Sequence, residues 1–350
     1  MSSSDEGLTQ ANMSSLPVVS VCIANYNGMG VIDDCIASVL AQDCGFTVEI
    51  IVHDDASTDG SAQHIRVAYP RAILIESNDN VGFCVANNRM VECATGKFAL
   101  LLNNDATLYP DALATLYKAA QGVGQPAILS LPQYNFDTGE LLDIGSLLDP
   151  FFNPVPNRNS GRGKVAMVMG ACLWIPKPLW QELGGFPEWF NSIGEDLYLC
   201  CRARLSGHAV RALGISGYRH RVGVSFGGGK VQQGRLATTY RRRALSERNK
   251  TFVMFICQPT PLLAVLLPLH LVLIHLEGFL LSAIRRDGTL WREIYASLLS
   301  QLWNDRNKLL TERSRVQSGR KITLVDWLTP FHWRPWKLQM LLRHGLPEVK

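Results

Sequence analysis

From residue 18 to residue 131, short apolar runs rich in β-branched side chains alternate with longer amphipathic ones. The apolar runs are VVSVCI, EIIVH, AILIE, FALLL and AILSL. Between them lie VIDDCIASVLAQ, GSAQHIRVAY, GFCVANNRMVECA and PDALATLYKAA. Short apolar runs bounded by turn residues predict strands, and apolar positions spaced three or four apart predict helices. Strand, helix, strand in that cadence predicts right-handed crossovers and a mostly parallel sheet, so the fold class is α/β. The run FALLL stops abruptly at Asn103, Asn104 and Asp105. An unbroken run of this kind reads as a strand buried on both faces, which places Asp105 at a carboxyl end, where open α/β sheets bind ligands.

The rhythm breaks after about Gln133. The segment FNPVPNRNSGRGK carries Pro, Asn, Gly and Arg without periodicity and predicts an exposed loop. An apolar segment (VAMVMGACLWI) and two helix-like stretches (PLWQELGGF and EDLYLCCRARLSG) follow, and residues 209 to 229 look irregular and glycine-rich. From Arg235 the chain becomes helical and basic, then intensely apolar. The division expected is a flexible tail over 1–16, an α/β domain over 17–234, and a basic and apolar helical region over 235–350 that associates with a membrane.

Residues 252 to 284 contain only His270, His275 and Glu277 as titratable groups. Leu262 to Ile284 is long enough to cross a hydrocarbon core of roughly 30 Å, but Pro268 and the polar trio weaken that reading. His270 and Glu277 lie seven apart on one helical face, which suits a helix resting on or partly within a bilayer interface. Five of the eight tryptophans (291, 303, 327, 333 and 336) fall in the last sixty residues beside Lys and Arg, as interfacial anchors do. A buried helical hairpin in a soluble oligomer is the alternative.

At 47% hydrophobic and 18% charged, the 350-residue chain is neither disordered nor collagenous. Its net charge of +4 is concentrated: residues 235 to 250 hold six basic residues and one acidic. That patch suits anionic headgroups or a diphosphate better than long duplex nucleic acid. Nine scattered cysteines without a CxxC pair read as buried thiols of a reducing cytoplasm. No GxGxxG follows the first strand, which argues against a dinucleotide-dependent dehydrogenase.

Four separated segments matter together: ANYNG (Ala24 to Gly28), HDDASTDGS (His53 to Ser61), NNDA after the fourth strand, and GEDLYLCCR from Gly194. With NVGFCVANN between them, they resemble the inverting family 2 glycosyltransferases of GT-A fold, especially the rhamnosyltransferase-like branch, over roughly residues 17 to 260. The resemblance implies that Ala24, Tyr26, Asn27 and Asp55 cradle the nucleotide, with Asp55 accepting from the base. It puts Asn80 and Gly82 in a loop under the sugar nucleotide. Asn103 and Asn104 join the donor side, and Asp105 is the metal-contacting end of an NxD form of the DxD motif. Asp54, Ser57 and Asp59 also read as caps of the helix beginning near Gly60.

Glycosyl transfer requires the leaving diphosphate to be neutralised, which a hard cation such as Mg²⁺ or Mn²⁺ does. His220, in YRHRVGVSF with Ser225, resembles a segment that approaches the metal or diphosphate. Asp196 matches the catalytic base and Glu195 its partner, although both also read as first-turn acids favoured by the helix dipole. Gly170 and Trp174, in GACLW, match a strand lining the acceptor side. The family often has a second acid in EDxD, where this chain has Tyr198. The expected activity is transfer of a sugar from a nucleoside diphosphate to a lipid-linked or polysaccharide acceptor in cell-envelope glycan synthesis, at the cytoplasmic membrane face and without nucleic acid. Rhamnose is suggested only by the branch resemblance. The alternative is a catalytically inactive GT-A-fold scaffold at the membrane.

Overall fold

The computed structural model describes residues 16–223, 228–232 and 235–349. The expected N-terminal tail, up to residue 15, and Ser225 lie outside the described residues. The strands that build the body are β1 (Val19–Asn25), β2 (Val48–Asp54), β3 (Ile73–Glu76), β4 (Phe98–Asn103), β5 (Ala106–Leu108), β6 (Ala127–Ser130), β7 (Gln133–Asn135), β8 (Leu141–Asp143), β9 (Ser146–Leu148), β10 (Pro154–Pro156), β11 (Cys172–Pro176), β12 (Ala209–Ala212) and β13 (Tyr218–His220). The helices are α1 (Ile32–Leu40), α2 (Ser61–Ala68), α3 (Phe83–Cys93), α4 (Ala112–Gly122), α5 (Lys177–Leu183), α6 (Glu195–Leu205), α7 (Tyr240–Cys257) and α8 (Thr260–Arg285).

Seven strands form the central sheet in the order β12-β6-β11-β4-β1-β2-β3. β1 pairs in parallel with both β2 and β4, and only β11 runs antiparallel, between β4 and β6. The apolar runs are continuous because both faces of the sheet are covered. Cys22, Ile51, Leu101 and Leu173 point into one core with α3 and α6, while Val21, Ile23, Val52, Leu100, Leu102 and Trp174 point into the other with α1 and α4. Period-two alternation is thus present in space although invisible as hydropathy.

Two expectations are corrected. The segment FNPVPNRNSGRGK is not wholly exposed: Phe152, Asn153, Val155 and Asn157 are buried. Side-chain amide and carboxylate groups make this possible by pairing backbone groups that no sheet ladder serves. Asn157 Nδ2 donates to the Ile144 carbonyl at 3.0 Å, and Asp149 Oδ1 accepts from the Asn153 amide at 2.9 Å. Residues 209 to 220 are not irregular either. β12 closes the sheet edge in parallel with β6, and β13 lies between β5 and β7 in a second, four-stranded sheet.

The C-terminal region is helical. α7 and α8 form a hairpin broken at Gln258–Pro259, because proline cannot continue the preceding helix. A three-residue helix, α9 (Gly288–Leu290), and a short π-helical turn (Trp291–Ala296) lead to α10 (Ser297–Asn304), α11 (Arg306–Ser318), α12 (Leu324–Leu328) and α13 (Trp336–His344). A partly buried ionic cluster joins them: Glu247 and Lys250 of α7 pair at 2.5 Å, Lys337 of α13 reaches both Glu247 (2.5 Å) and Glu277 of α8 (2.8 Å), and Arg243 pairs with Glu277.

Candidate active site

Parallel register brings the three motif-bearing strand ends level. Ala24 lies opposite His53 and Asn103, and Asn25 opposite Asp54. Asn25, absent from the sequence-derived site, is the hub beneath them. Its buried amide donates to Asp54 Oδ1 at 2.8 Å and Ser61 Oγ at 2.9 Å, and its oxygen accepts from Asn104 Nδ2 at 3.0 Å. Asn104 therefore ties the NND turn to the first strand. Asp59 accepts from the Met29 and Ser61 amides at 2.8 and 3.0 Å, so it ties the start of α2 to the loop after β1, although the N-cap itself is Gly60. Asn27 takes a positive φ of 49°, donating its amide to Ser57 Oγ and accepting from the Thr58 amide. The side chain of Tyr26 stands exposed at this rim.

Asp55 is buried and accepts from the Val81 amide at 2.7 Å and the Gly82 amide at 2.9 Å. It holds the 80–82 loop, and an ionised carboxylate retains further acceptor capacity for a ligand donor. Asn80 bonds weakly to the Asp55 carbonyl at 3.4 Å. Gly82 sits at φ 88°, ψ 163°, a conformation nearly restricted to glycine, and a Cβ there would come within 2.7 Å of Asn191 Oδ1. This close approach joins the donor-side loop to the segment preceding α6.

The metal-motif segment is completed from β13. His220 pairs across from Ala106, which sets its Nε2 3.0 Å from Asp105 Oδ1 and 3.4 Å from Asn103 Nδ2, while Gln133 Nε2 lies 3.0 Å from its Nδ1. Asp105 is 2% exposed. Asn103 Oδ1 is buried without a hydrogen-bond partner among the described residues. One carboxylate, one imidazole and one unpaired amide oxygen are a donor set suited to a hard divalent cation that takes its remaining ligands from substrate. Among the described residues there is no cluster of three or more His, Cys, Asp or Glu that could hold a metal alone.

The acid pair begins α6. Asp196 Oδ2 accepts from the Gly170 amide at 3.0 Å and Oδ1 from the Leu197 amide at 2.7 Å. The carbonyl of Ala171, next to Gly170, accepts from the Asn103 amide at 3.1 Å, so one short segment links the base candidate to the metal motif. Burial raises both carboxyls. For Glu195 burial and the adjacent Asp196 push it up to about 8, and backbone donors to Asp196 partly offset its own rise.

Trp174 is not brought to this site. It is fully buried on β11, with its ring 4.9 Å from that of Phe98 at the opposite end of the strand. Tyr198, at the position of the second acid, is buried and its hydroxyl donates to Glu312 of α11.

Two residues of α7 complete the pair's surroundings. Burial lowers the Arg242 guanidinium, with Glu195 and Asp196 partly offsetting the fall, and the Arg242 charge in turn offsets part of the burial-driven rise of Asp196. Only the local density of positive charge in the sequence pointed to Arg242. Replacing Arg242 with glutamine removes a charge that favours the carboxylate, so the acidic limb of the kcat–pH profile should move to higher pH. An unmoved limb would show that Arg242 does not act on the pair.

Asn249 left no signal in the sequence. It is fully buried, and its Nδ2 lies 3.1, 2.9 and 2.7 Å from the carbonyls of Phe190, Ser192 and Ile193. Asn191, Ile193 and Gly194 all have positive φ (67°, 68° and 89°), which turns these carbonyls toward α7, where the amide catches them. Asn249→Ala should cost about 1–3 kcal/mol through unpaired buried carbonyls. It should also lower kcat more than donor KM, measured by denaturant melts and steady-state kinetics.

Comparison with known proteins agrees with this geometry. The family model described as glycosyl transferase family 2 matches residues 20–182. The succinoglycan biosynthesis protein ExoO of Rhizobium meliloti is 34% identical over 124 residues, 35% of each chain. Over the first curated relatives the chain spans only about a third of their length. Among solved structures, GalNAc-T7 with UDP, GalNAc and Mn²⁺ superposes with a TM-score of 0.54 at 16% identity, covering 69% of this chain and 48% of that one. The mannosyltransferase PcManGT from Pyrobaculum calidifontis, in complex with GDP-Man and Mn²⁺, gives 0.51 at 19% identity, covering 87% and 88%. Residues 20–182 are therefore similar to the glycosyl transferase family 2 domain, and the chain has the GT-A fold of these structural neighbours.

Proposed function

We propose that the protein is an inverting, metal-dependent glycosyltransferase that moves a sugar from a nucleoside diphosphate to a hydroxyl of a lipid-linked or polysaccharide acceptor. The reaction belongs to cell-envelope glycan synthesis at the cytoplasmic membrane face. The observation that carries this reading is the Gly170–Ala171 bridge, which ties Asp196 to Asn103 in the turn that bears Asp105, where His220 pairs with Asp105. Asp196, held by the Gly170 and Leu197 amides, takes the proton of the acceptor hydroxyl as that oxygen attacks the anomeric carbon. A single displacement inverts the centre and uses no protein nucleophile. Asp105 and His220, with the oxygen of Asn103, would hold Mg²⁺ or Mn²⁺. The cation supplies charge neutralisation of the departing diphosphate. Asp55 and the loop it shapes, with Ala24, Tyr26, Asn27 and Asn80, receive the nucleotide, and Gly170 borders the acceptor.

The relatives support the donor and the setting. One is named for succinoglycan biosynthesis, and two structural neighbours hold UDP or GDP-Man with Mn²⁺. The test is a thermal-shift screen against UDP-, dTDP- and GDP-sugars with and without Mn²⁺, since a ligand of the native state raises stability by mass action. Stabilisation by one donor that requires the metal is expected; no shift with any donor would favour a catalytically silent scaffold.

A further inference from the structure

Two helices of the C-terminal region bury one side in the protein and leave the other apolar and uncovered. Along α8 the buried positions His270, Ile274, Gly278 and Leu281 follow a three-to-four spacing. The opposite side carries Val265, Leu269, Val272, Leu276 and Phe279, between 44% and 66% exposed. At 1.5 Å per residue this stripe runs about 20 Å. On α13, Leu338, Leu341 and Leu342 are exposed at 53%, 42% and 79%, with Trp333 just before it at 62%. Lys337 of α13 bonds Glu277 of α8, and Arg285 at the end of α8 donates to the Pro347 carbonyl just after α13. The two helices are therefore side by side. Exposed Arg285, Arg286, Arg334 and Arg343 border them.

We infer that α8 and α13 form an in-plane docking face for an anionic bilayer, with α8 lying along the interface without crossing it. The inference deepens the membrane-facing part of the proposed function and rests on that reading. α8 has the length and apolar composition of a span. Its protein-facing side, however, is fastened along its length to α7, by His270 to Thr251 at 2.9 Å and by Glu277 to Arg243. A span would have to carry that ionic cluster into hydrocarbon. Apolar side chains bordered by arginine and tryptophan suit the headgroup boundary. A second copy of the chain is a poorer occupant, because a two-fold pairing would bring the same arginines toward one another. Arg243 pairs with the docking helix while its neighbour Arg242 acts on Glu195 and Asp196. α7 thus carries at adjacent positions the residue that fastens the docking helix and the one whose charge bears on the acid pair.

The test is flotation of the full-length protein with phosphatidylcholine vesicles and with vesicles containing phosphatidylglycerol, followed by an alkaline carbonate wash. Binding to the anionic vesicles and release by carbonate are expected. The double variant Val272→Glu/Leu276→Glu should bind at least about tenfold more weakly, while Val67→Glu, equally exposed on α2, binds as the parent does. Equal flotation of the double variant, or no flotation of the parent, overturns the inference. Carbonate-resistant insertion would instead establish a span. A dimer that the double variant dissociates, without vesicle binding by the parent, would establish a second copy as the occupant. Metal-dependent donor shifts measured on the same samples separate the two readings: their absence beside normal flotation removes the enzymatic reading and leaves the docking face standing.

Discussion

Asp196→Asn is expected to lower kcat by about 10²–10⁴-fold, the usual contribution of a positioned general base, while leaving donor affinity nearly unchanged. The amide oxygen can still accept from the Gly170 amide, so the loop geometry survives. What disappears is the ability to take a proton. Glu195 cannot substitute, because its burial raises its carboxyl even without the neighbouring charge, and it begins a buried helical turn one position away. Single-turnover rates and donor thermal shifts on the same variant separate the two quantities. Lost donor binding with retained chemistry would reverse the assignment.

Asp105→Asn should act on the other quantity. Asn103 already replaces one acid of the common motif, so Asp105 is the only carboxylate beside His220 in the donor set. Its loss leaves two amides and an imidazole for a hard cation, a poor combination. Donor affinity in Mn²⁺ should fall by at least about tenfold, or about 1.4 kcal/mol, and the difference between Mn²⁺ and chelator should vanish. Titration of donor-induced stabilisation against Mn²⁺ measures this. Unchanged metal dependence would move the metal away from Asp105. Substitution at His220 should produce a smaller change of the same kind, because an imidazole carries no formal negative charge.

The strands were legible because their cause is local. A strand covered on both faces must be apolar throughout, so FALLL and VVSVCI mark β4 and β1, and the polar residues that end them mark the ligand side of the sheet. The motif residues at those ends were legible for the same reason, and parallel register then aligns them without further information. The acids of α6 were readable as the first turn of a helix, and so were the basic patch and the apolar character of α8.

Other features arise from contacts between segments far apart in the chain, and these leave no periodic trace. Asn25 is one polar residue in an apolar strand until Asn104, Asp54 and Ser61 close around it. His220 meets Asp105 only because β13 pairs with β5, and Asn249 reaches the carbonyls before Glu195 only because α7 packs on α6. Trp174 shares its motif with Gly170, yet strand direction carries it to the far end of the core. Likewise the composition of α8 permits a span, an interfacial helix or a buried hairpin. Which side faces the protein was decided by Glu277 and His270 finding partners on α7 and α13, because a buried charge or imidazole must be paired and the apolar stripe opposite is then left outward. Sequence determined the elements and the chemistry at their ends, through local hydropathy and turn preference. Tertiary structure decided which polar groups meet and which apolar face stays uncovered, through the requirement that buried polar groups be satisfied.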